Sequence, residues 1–289
     1  MTGAARKAQP AVLLFAGALA LAILADLTWQ RGHAYVDAET LWRDTLSKNP
    51  DAFIAANNLG GILLARKELE PATELFEQGL RSKPDFAEGL DNLGLVRQRQ
   101  GKLDEAVSYF NQAIRRDPRF ANAHNNLGIV LVQQGKLPEA LEQFREAARI
   151  RPSFAKAHQN IALALERLGR TDEAVREYRE TLRWTVEAQD VALRLAWILA
   201  TDPDAGVRNG AEAVRLASAA NAATGEKDAR AWDVLAAAFA EAGRFDEAVR
   251  AAERALDLAG TSATAEAREG AKARLALYRD GQALRSRPR

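Results

Sequence analysis

Residues 125–148 read NNLGIVLVQQGKLPEALEQFREAA, and this phrase decides the fold because the chain repeats it. DNLGLVRQRQGKLDEAVSYFNQAI stands at 91–114 and NNLGGILLARKELEPATELFEQGL at 57–80. Aligned on Gly60, Gly94 and Gly128, the copies are 34 residues apart, and two further steps of 34 land on Ala162 and Ala196. Twelve residues beyond each of the first four stands an alanine: Ala72, Ala106, Ala140 and Ala174. Four later comes an aromatic ring, at Phe76, Phe110, Phe144 and Tyr178, and Pro84, Pro118 and Pro152 close three of the copies. Gly101, Gly135 and Gly169 divide the halves.

A fixed period of this length marks a supersecondary unit that buries its apolar face only against its neighbours. Each position has a physical reading. Gly or Ala against Ala lets two antiparallel helices approach closely, with the neighbouring Leu and the aromatic filling the space around the contact. The central glycine permits the turn. Asp104, Asp172 and Asp246 stand where the second helix begins, suited to capping its N–H groups or favouring its dipole. Proline ends the second helix.

The period and residue types resemble the tetratricopeptide repeat, a helix-turn-helix unit. That resemblance implies an all-α, right-handed superhelical solenoid. Ahead of the first full copy, ETLWRDTLSKNPD matches a second helix alone, through Ala38, Trp42 and Pro50. The expected organisation is a cytoplasmic stub and transmembrane anchor over 1–30, then a junction and half-repeat over 31–52. Four repeats follow at 53–86, 87–120, 121–154 and 155–188. A degenerate fifth with the insertion TDPDAGVRNG occupies 189–228 and a sixth 229–262. A capping helix at 263–281 covers the open end, as solenoids require, and 282–289 is a polar, basic tail expected to fray.

The anchor rests on the uncharged run AQPAVLLFAGALALAILA, residues 8–25. As a helix it would span roughly 27 Å, close to the ~30 Å hydrocarbon core. Trp29, Arg31 and Tyr35 suit an interfacial border, and Arg6 and Lys7 favour an inside N-terminus. The expectation is a single-pass membrane protein held through residues 8–29, with its repeats on the extracytoplasmic, periplasmic side. A cleaved signal peptide competes, since Ala20-Leu21-Ala22 has the A-x-A form; a buried helix is the third option.

Composition narrows the functions. Forty Lys and Arg against 39 Asp and Glu argue against a nucleic-acid binder built on phosphate neutralisation. The absence of cysteine excludes disulfides, Cys-ligated zinc and thiol nucleophiles. There is no Gly-rich phosphate loop, H-E-x-x-H or nucleophile elbow. Glu139, Glu142 and Glu146 have the spacing of a solvated helix face. His124 and His158, 34 apart, suit packing at a seam better than a metal pair without a third ligand. Trp232 reads as core. No catalytic residue, metal site or cofactor is expected.

The binding candidates are amides. Asn58, Asn92, Asn126 and Asn160 each precede the Leu-Gly or Ile-Ala pair, and stacking makes them a column. Asn57, Asp91, Asn125 and Gln159 widen the polar strip. In tetratricopeptide arrays the first helices line the concave wall, and in the O-GlcNAc transferase superhelix the Asn at this place forms a ladder. The resemblance thus implies a protein or extended-peptide groove, since an amide can pair with both C=O and N–H of a backbone. The bland alternative is that the amides bond neighbouring helices together. The column ends at Arg194. A clamp for acidic C-terminal carboxylates, which needs Lys or Arg and a second Asn, is not expected: Gly61, Leu95, Ile129 and Leu163 stand three after each ladder Asn.

A narrower resemblance starts from LTWQRGHAYVDAETLWRDTLSKNPDAFIAANNLG, residues 27–60. It is similar to the junction in bacterial multispanning proteins of the transmembrane-and-tetratricopeptide O-mannosyltransferase group. Those proteins hold their catalytic acid in an earlier membrane half absent from these residues, so no activity is carried over. The leading expectation is a non-catalytic protein-binding scaffold. The alternatives are an accessory part of a membrane glycosyltransferase system and a structural spacer.

Overall fold

Fourteen helices follow one another among the described residues, which are 37–185, 188–260 and 264–286 of a computed structural model. The half-repeat is α1 (Ala38–Lys48), opened by Asp37, whose carboxylate accepts from the Thr40 N–H at 2.8 Å. Helix pairs come next: α2 (Phe53–Ala65) with α3 (Leu69–Ser82), and α4 (Ala87–Arg99) with α5 (Leu103–Arg116). These form one compact unit, ending at Pro118. The second unit runs from Arg119. It holds α6 (Ala121–Gln133) with α7 (Leu137–Ile150), α8 (Ala155–Arg167) with α9 (Thr171–Trp184), and α10 (Gln189–Thr201) with α11 (Gly210–Ala223). The series closes with α12 (Ala229–Glu241), α13 (Phe245–Ala259) and the capping helix α14 (Ala265–Arg279).

The paired packing follows from the repeated positions. Ala72 and Ala106 in the first unit, and Ala140, Ala174 and Ala248 in the second, are fully buried. Phe76, Phe110, Phe144 and Tyr178 are each at most 2% exposed. Burying one such ring contributes about 1.5–3 kcal/mol. The small-residue contact differs from expectation in one respect. Gly60, Gly94 and Gly128 face the aromatic edge itself, and a Cβ there would stand 2.5–2.6 Å from the ring of Phe76, Phe110 or Phe144. The turn glycines Gly101 and Gly135 have φ of 75° and 78°, the left-handed region.

Asp104, Asp172 and Asp246 do not cap. The capping positions are Lys102, Arg170 and Arg244, which make no side-chain cap bond, and the aspartates sit in the first turn. Their stabilisation is therefore through the helix dipole. Lys83, Asp117 and Arg151 terminate second helices with φ between −139° and −131°, the extended backbone that a following proline favours.

The insertion is tied down. Val207 is buried, the Asn209 N–H donates to Leu199 C=O at 2.8 Å, and Asn209 Oδ1 caps α11 through the Glu212 N–H. Arg208 reaches Glu241 Oε1 at 2.9 Å and the carbonyls of Asp202 and Pro203. The tail expected to fray is held as far as Ser286. The Ser286 N–H donates to Thr201 C=O at 2.8 Å, and Thr201 Oγ1 donates to Ser286 C=O at 3.2 Å. Leu284 packs on the core while Arg285 pairs with Glu241, which explains the order of a polar segment.

The membrane expectation is corrected. The run at 8–25, and with it the whole anchor at 8–29, lies outside the described residues. Among the described residues no helix is long and apolar enough to cross a membrane, so the single-pass, extracytoplasmic placement has no support.

Candidate functional site

The first helices carry all eight amide-strip residues. In the first unit, Asn57 and Asp91 are buried at 5% and 4% exposure, while Asn58 and Asn92 are half-buried. Asn92 Nδ2 donates to Asn57 Oδ1 at 2.8 Å, and Asn57 Nδ2 donates to Glu88 Oε1 at 3.2 Å. In the second unit, Asn125 is buried, and Asn126, Gln159 and Asn160 are half-buried. Asn160 Nδ2 donates to Asn125 Oδ1 at 2.9 Å. Within each unit, then, a ladder amide donates to the buried amide that precedes the ladder position in the repeat before. A buried acceptor left unmet costs about 1–3 kcal/mol, so each bond has a structural purpose whatever else the amides do.

Gln159 and Asn160 also stand in the walls of two neighbouring hollows within the second unit. The larger, about 670 Å³, is walled by Gln159, Leu163, Glu166 and Arg167 of α8, Arg194 of α10 and Arg230 of α12. The smaller, about 190 Å³, lies between α6 and α8 and is mainly apolar, with Ile129, Val132, Asn160 and Leu163 in its wall. Leu163 and Arg167, one turn apart on α8, belong to both. Leu163 is 37% exposed.

Charge in the larger hollow is ordered by pairing. Arg194 grips Glu166 through Nε and Nη2, the closest contact being 2.8 Å, and Arg230 pairs with Asp190. Arg167 has no carboxylate partner among the described residues. Beneath the Glu166–Arg194 pair lies Tyr178, 1% exposed. Its hydroxyl neighbours both groups but makes no well-formed hydrogen bond. Burial, followed by the Glu166 charge, pushes that hydroxyl's pKa upward, so it stays protonated and keeps its capacity to donate.

The histidines fasten helices together, and His158 Nε2 also meets the Pro152 carbonyl of the preceding repeat at 2.9 Å. His124 Nδ1 meets Gln143 Oε1 at 2.8 Å, and His158 Nδ1 meets Glu177 Oε2 at 2.7 Å, each fastening a first helix to its second. Among the described residues no group of three His, Cys, Asp or Glu is arranged to hold a metal. Trp232 is partly buried against the core, and its indole N–H donates to Glu226 C=O at 3.1 Å. Sequence reasoning did not single out Leu163 with Arg167 as a site. Their spacing from Asn160 gave the one available signal, since 160, 163 and 167 fall on one helical stripe.

Three models of the tetratricopeptide repeat match the chain, one over residues 24–85 and 92–153, a second over 155–185 and a third over 231–266. Together they cover most of the sequence and leave out the stretch with the insertion. No curated protein matches. Among solved structures, PilF of Pseudomonas aeruginosa is 22% identical over 78% of this chain and 98% of its own, with a TM-score of 0.65, a likeness of fold. A crystal structure of MamA is 25% identical over 50% of this chain and 84% of its own, at 0.44. YrrB, described as a repeat protein with an unusual peptide-binding site, is 17% identical over 75% of this chain and 91% of its own, at 0.43. Nothing in these matches supports the likeness to the O-mannosyltransferase group, and it is set aside.

Proposed function

The chain belongs to the tetratricopeptide repeat family, and from that premise we propose that it is a non-catalytic scaffold binding extended segments of other proteins along the first helices of its repeats. The observation that carries the reading is the hollow of about 670 Å³ bounded by α8, α10 and α12. Its walls mix apolar surface with oriented guanidinium groups and amides, which suits a chain whose backbone and side chains both need partners. Within each unit the half-buried amides supply the backbone contacts in this proposal, Asn58 and Asn92 in the first and Asn126, Gln159 and Asn160 in the second, while Asn57, Asp91 and Asn125 stay buried. Joining the repeats uses one N–H of Asn92 and one of Asn160. An amide has a second N–H and a carbonyl to offer.

Several such contacts in series give multivalent capture with weak sequence demands. A photo-crosslinking side chain placed at Leu163 should capture polypeptide from an extract. The same group at Arg176, exposed on the second helix of that repeat, should not. Equal capture at both positions would defeat the proposal.

A further inference from the structure

Of the two hollows flanking α8, one is apolar and the other contains an unmatched cation, and the two share Leu163 and Arg167. The wall of the larger hollow holds Arg167, Arg194 and Arg230 against Glu166 and Asp190. Both carboxylates are already taken, by Arg194 and Arg230, so the surplus positive charge resides on Arg167. A cation so placed on an otherwise neutralised wall is a selectivity element: an acidic ligand group meets it favourably, and a basic one faces three guanidiniums.

We propose that the α6–α8–α10 groove selects extended acidic peptides in which an apolar side chain and an Asp or Glu lie about three residues apart. The apolar side chain occupies the notch formed by Ile129, Val132 and Leu163, and the carboxylate pairs with Arg167. The spacing follows from general dimensions. Leu163 and Arg167 stand four residues apart on α8, about 6 Å at 1.5 Å per residue, and an extended chain advances about 3.3 Å per residue. Spanning from the notch to the guanidinium at the far end of the Arg167 side chain therefore takes about three residues. Gln159 and Asn160, on the same helix, are positioned for the intervening backbone. This arrangement differs from a C-terminal carboxylate clamp because the acid is an internal side chain and the recognition is shared with an apolar neighbour.

The proposal rests on the groove-binding reading, and its test separates the two. The probes are fluorescent ten-residue peptides with a Gly/Ser background. One carries Leu-x-x-Asp, one Leu-x-x-Lys and one Ala-x-x-Asp, and each is titrated against the full chain. The expected result is that Leu-x-x-Asp binds about tenfold more tightly than either of the others, with the advantage over Lys shrinking as salt rises. Arg167→Glu, at an exposed position where the expected folding cost is only the small loss of helix-dipole complementarity, should reverse the order and favour the Lys peptide. Equal binding of the Asp and Lys peptides, or an unchanged order in Arg167→Glu, overturns the acidic preference while groove binding stands. Displacement of the peptide at equal affinity by a single-stranded oligonucleotide overturns the assignment to peptides. If none of the probes binds while Leu163 still crosslinks protein, the apolar–acidic pattern is wrong and the groove reading survives. If crosslinking fails as well, both fall.

Discussion

Gly128 stands so close to Phe144 that a Cβ built on it would lie 2.5 Å from the ring's Cε1 and 2.6 Å from Cδ1. The ring is 2% exposed and has no free side to retreat to. Gly128→Val should therefore lower the unfolding free energy by about 3 kcal/mol, the upper end of ordinary overpacking. Gly128→Ala should cost less, since alanine returns up to about 1 kcal/mol of helix propensity. Urea melts of the two variants check the order. Loss of hydrogen-exchange protection should be greatest in α6 and α7, because a repeat contacts chiefly its neighbours.

Lys67 occupies the turn place that Gly101 and Gly135 fill in the next two repeats, with φ of 66°. A non-glycine residue there costs about 1–2 kcal/mol of backbone strain. Lys67→Gly should accordingly raise stability by up to about 1 kcal/mol, after glycine's greater entropy loss is deducted. Gly135→Lys should lower it. Differential scanning calorimetry on the pair is decisive: a fall in Tm for Lys67→Gly would show that the lysine side chain contributes more than its backbone costs.

Much of this architecture was legible because its determinants are local and repeated. The Gly, Ala, aromatic and proline positions place helix pairs without knowledge of how the pairs stack, and Trp42 identified α1 from a half-copy alone. The amides were a different case. Whether Asn92 faces a ligand or Asn57 depends on the offset between successive repeats, which no single repeat encodes. Arg167 was hidden for a related reason. An Arg in the last turn of a helix is the ordinary complement to the dipole, and its isolation appears only when Arg194 and Arg230 are seen holding their own carboxylates. The tail misled because composition alone says nothing of the Thr201 carbonyl awaiting a donor.

That tail supplies a third prediction. Deleting 282–289 removes the Ser286–Thr201 hydrogen bonds, each worth about 0.5–1.5 kcal/mol, and uncovers the buried Thr201, which is 0% exposed. It also removes Leu284 from the core and the Arg285–Glu241 pair. Truncation after Gly281 should cost about 2 kcal/mol or more and raise exchange at the C-terminal end of α10. Leu284→Ala alone should give a smaller part of the same loss. A truncated chain melting with the full one would show that the strap rests on the array without stabilising it.

The amide column yields the last prediction, in which fold and binding make separable demands on one side chain. Asn160 Nδ2 donates to Asn125 Oδ1 at 2.9 Å, and Asn125 is 5% exposed. Asn160→Ala leaves that buried oxygen without its donor, which should cost about 1–3 kcal/mol, less a few tenths returned by alanine's helix propensity. Replacing the acceptor as well, in Asn125→Leu with Asn160→Ala, removes both polar partners and should recover part of the loss. The double-mutant cycle should therefore show a coupling of about 0.5–3 kcal/mol. Asn92→Ala and Asn57→Leu make the matching cycle in the first unit. Affinity measured on the folded fraction of the same variants tests the second demand. If the remaining N–H and carbonyl of Asn160 hold a peptide backbone, Asn160→Ala should weaken peptide binding by about 2- to 10-fold, the equivalent of one net hydrogen bond of about 0.5–1.5 kcal/mol. That loss should persist in the stability-restored double variant, because restoring the packing does not restore the amide. A lowered melting temperature with undiminished affinity would leave the column a purely structural seam, and peptide capture would then depend on Leu163 and the arginines alone.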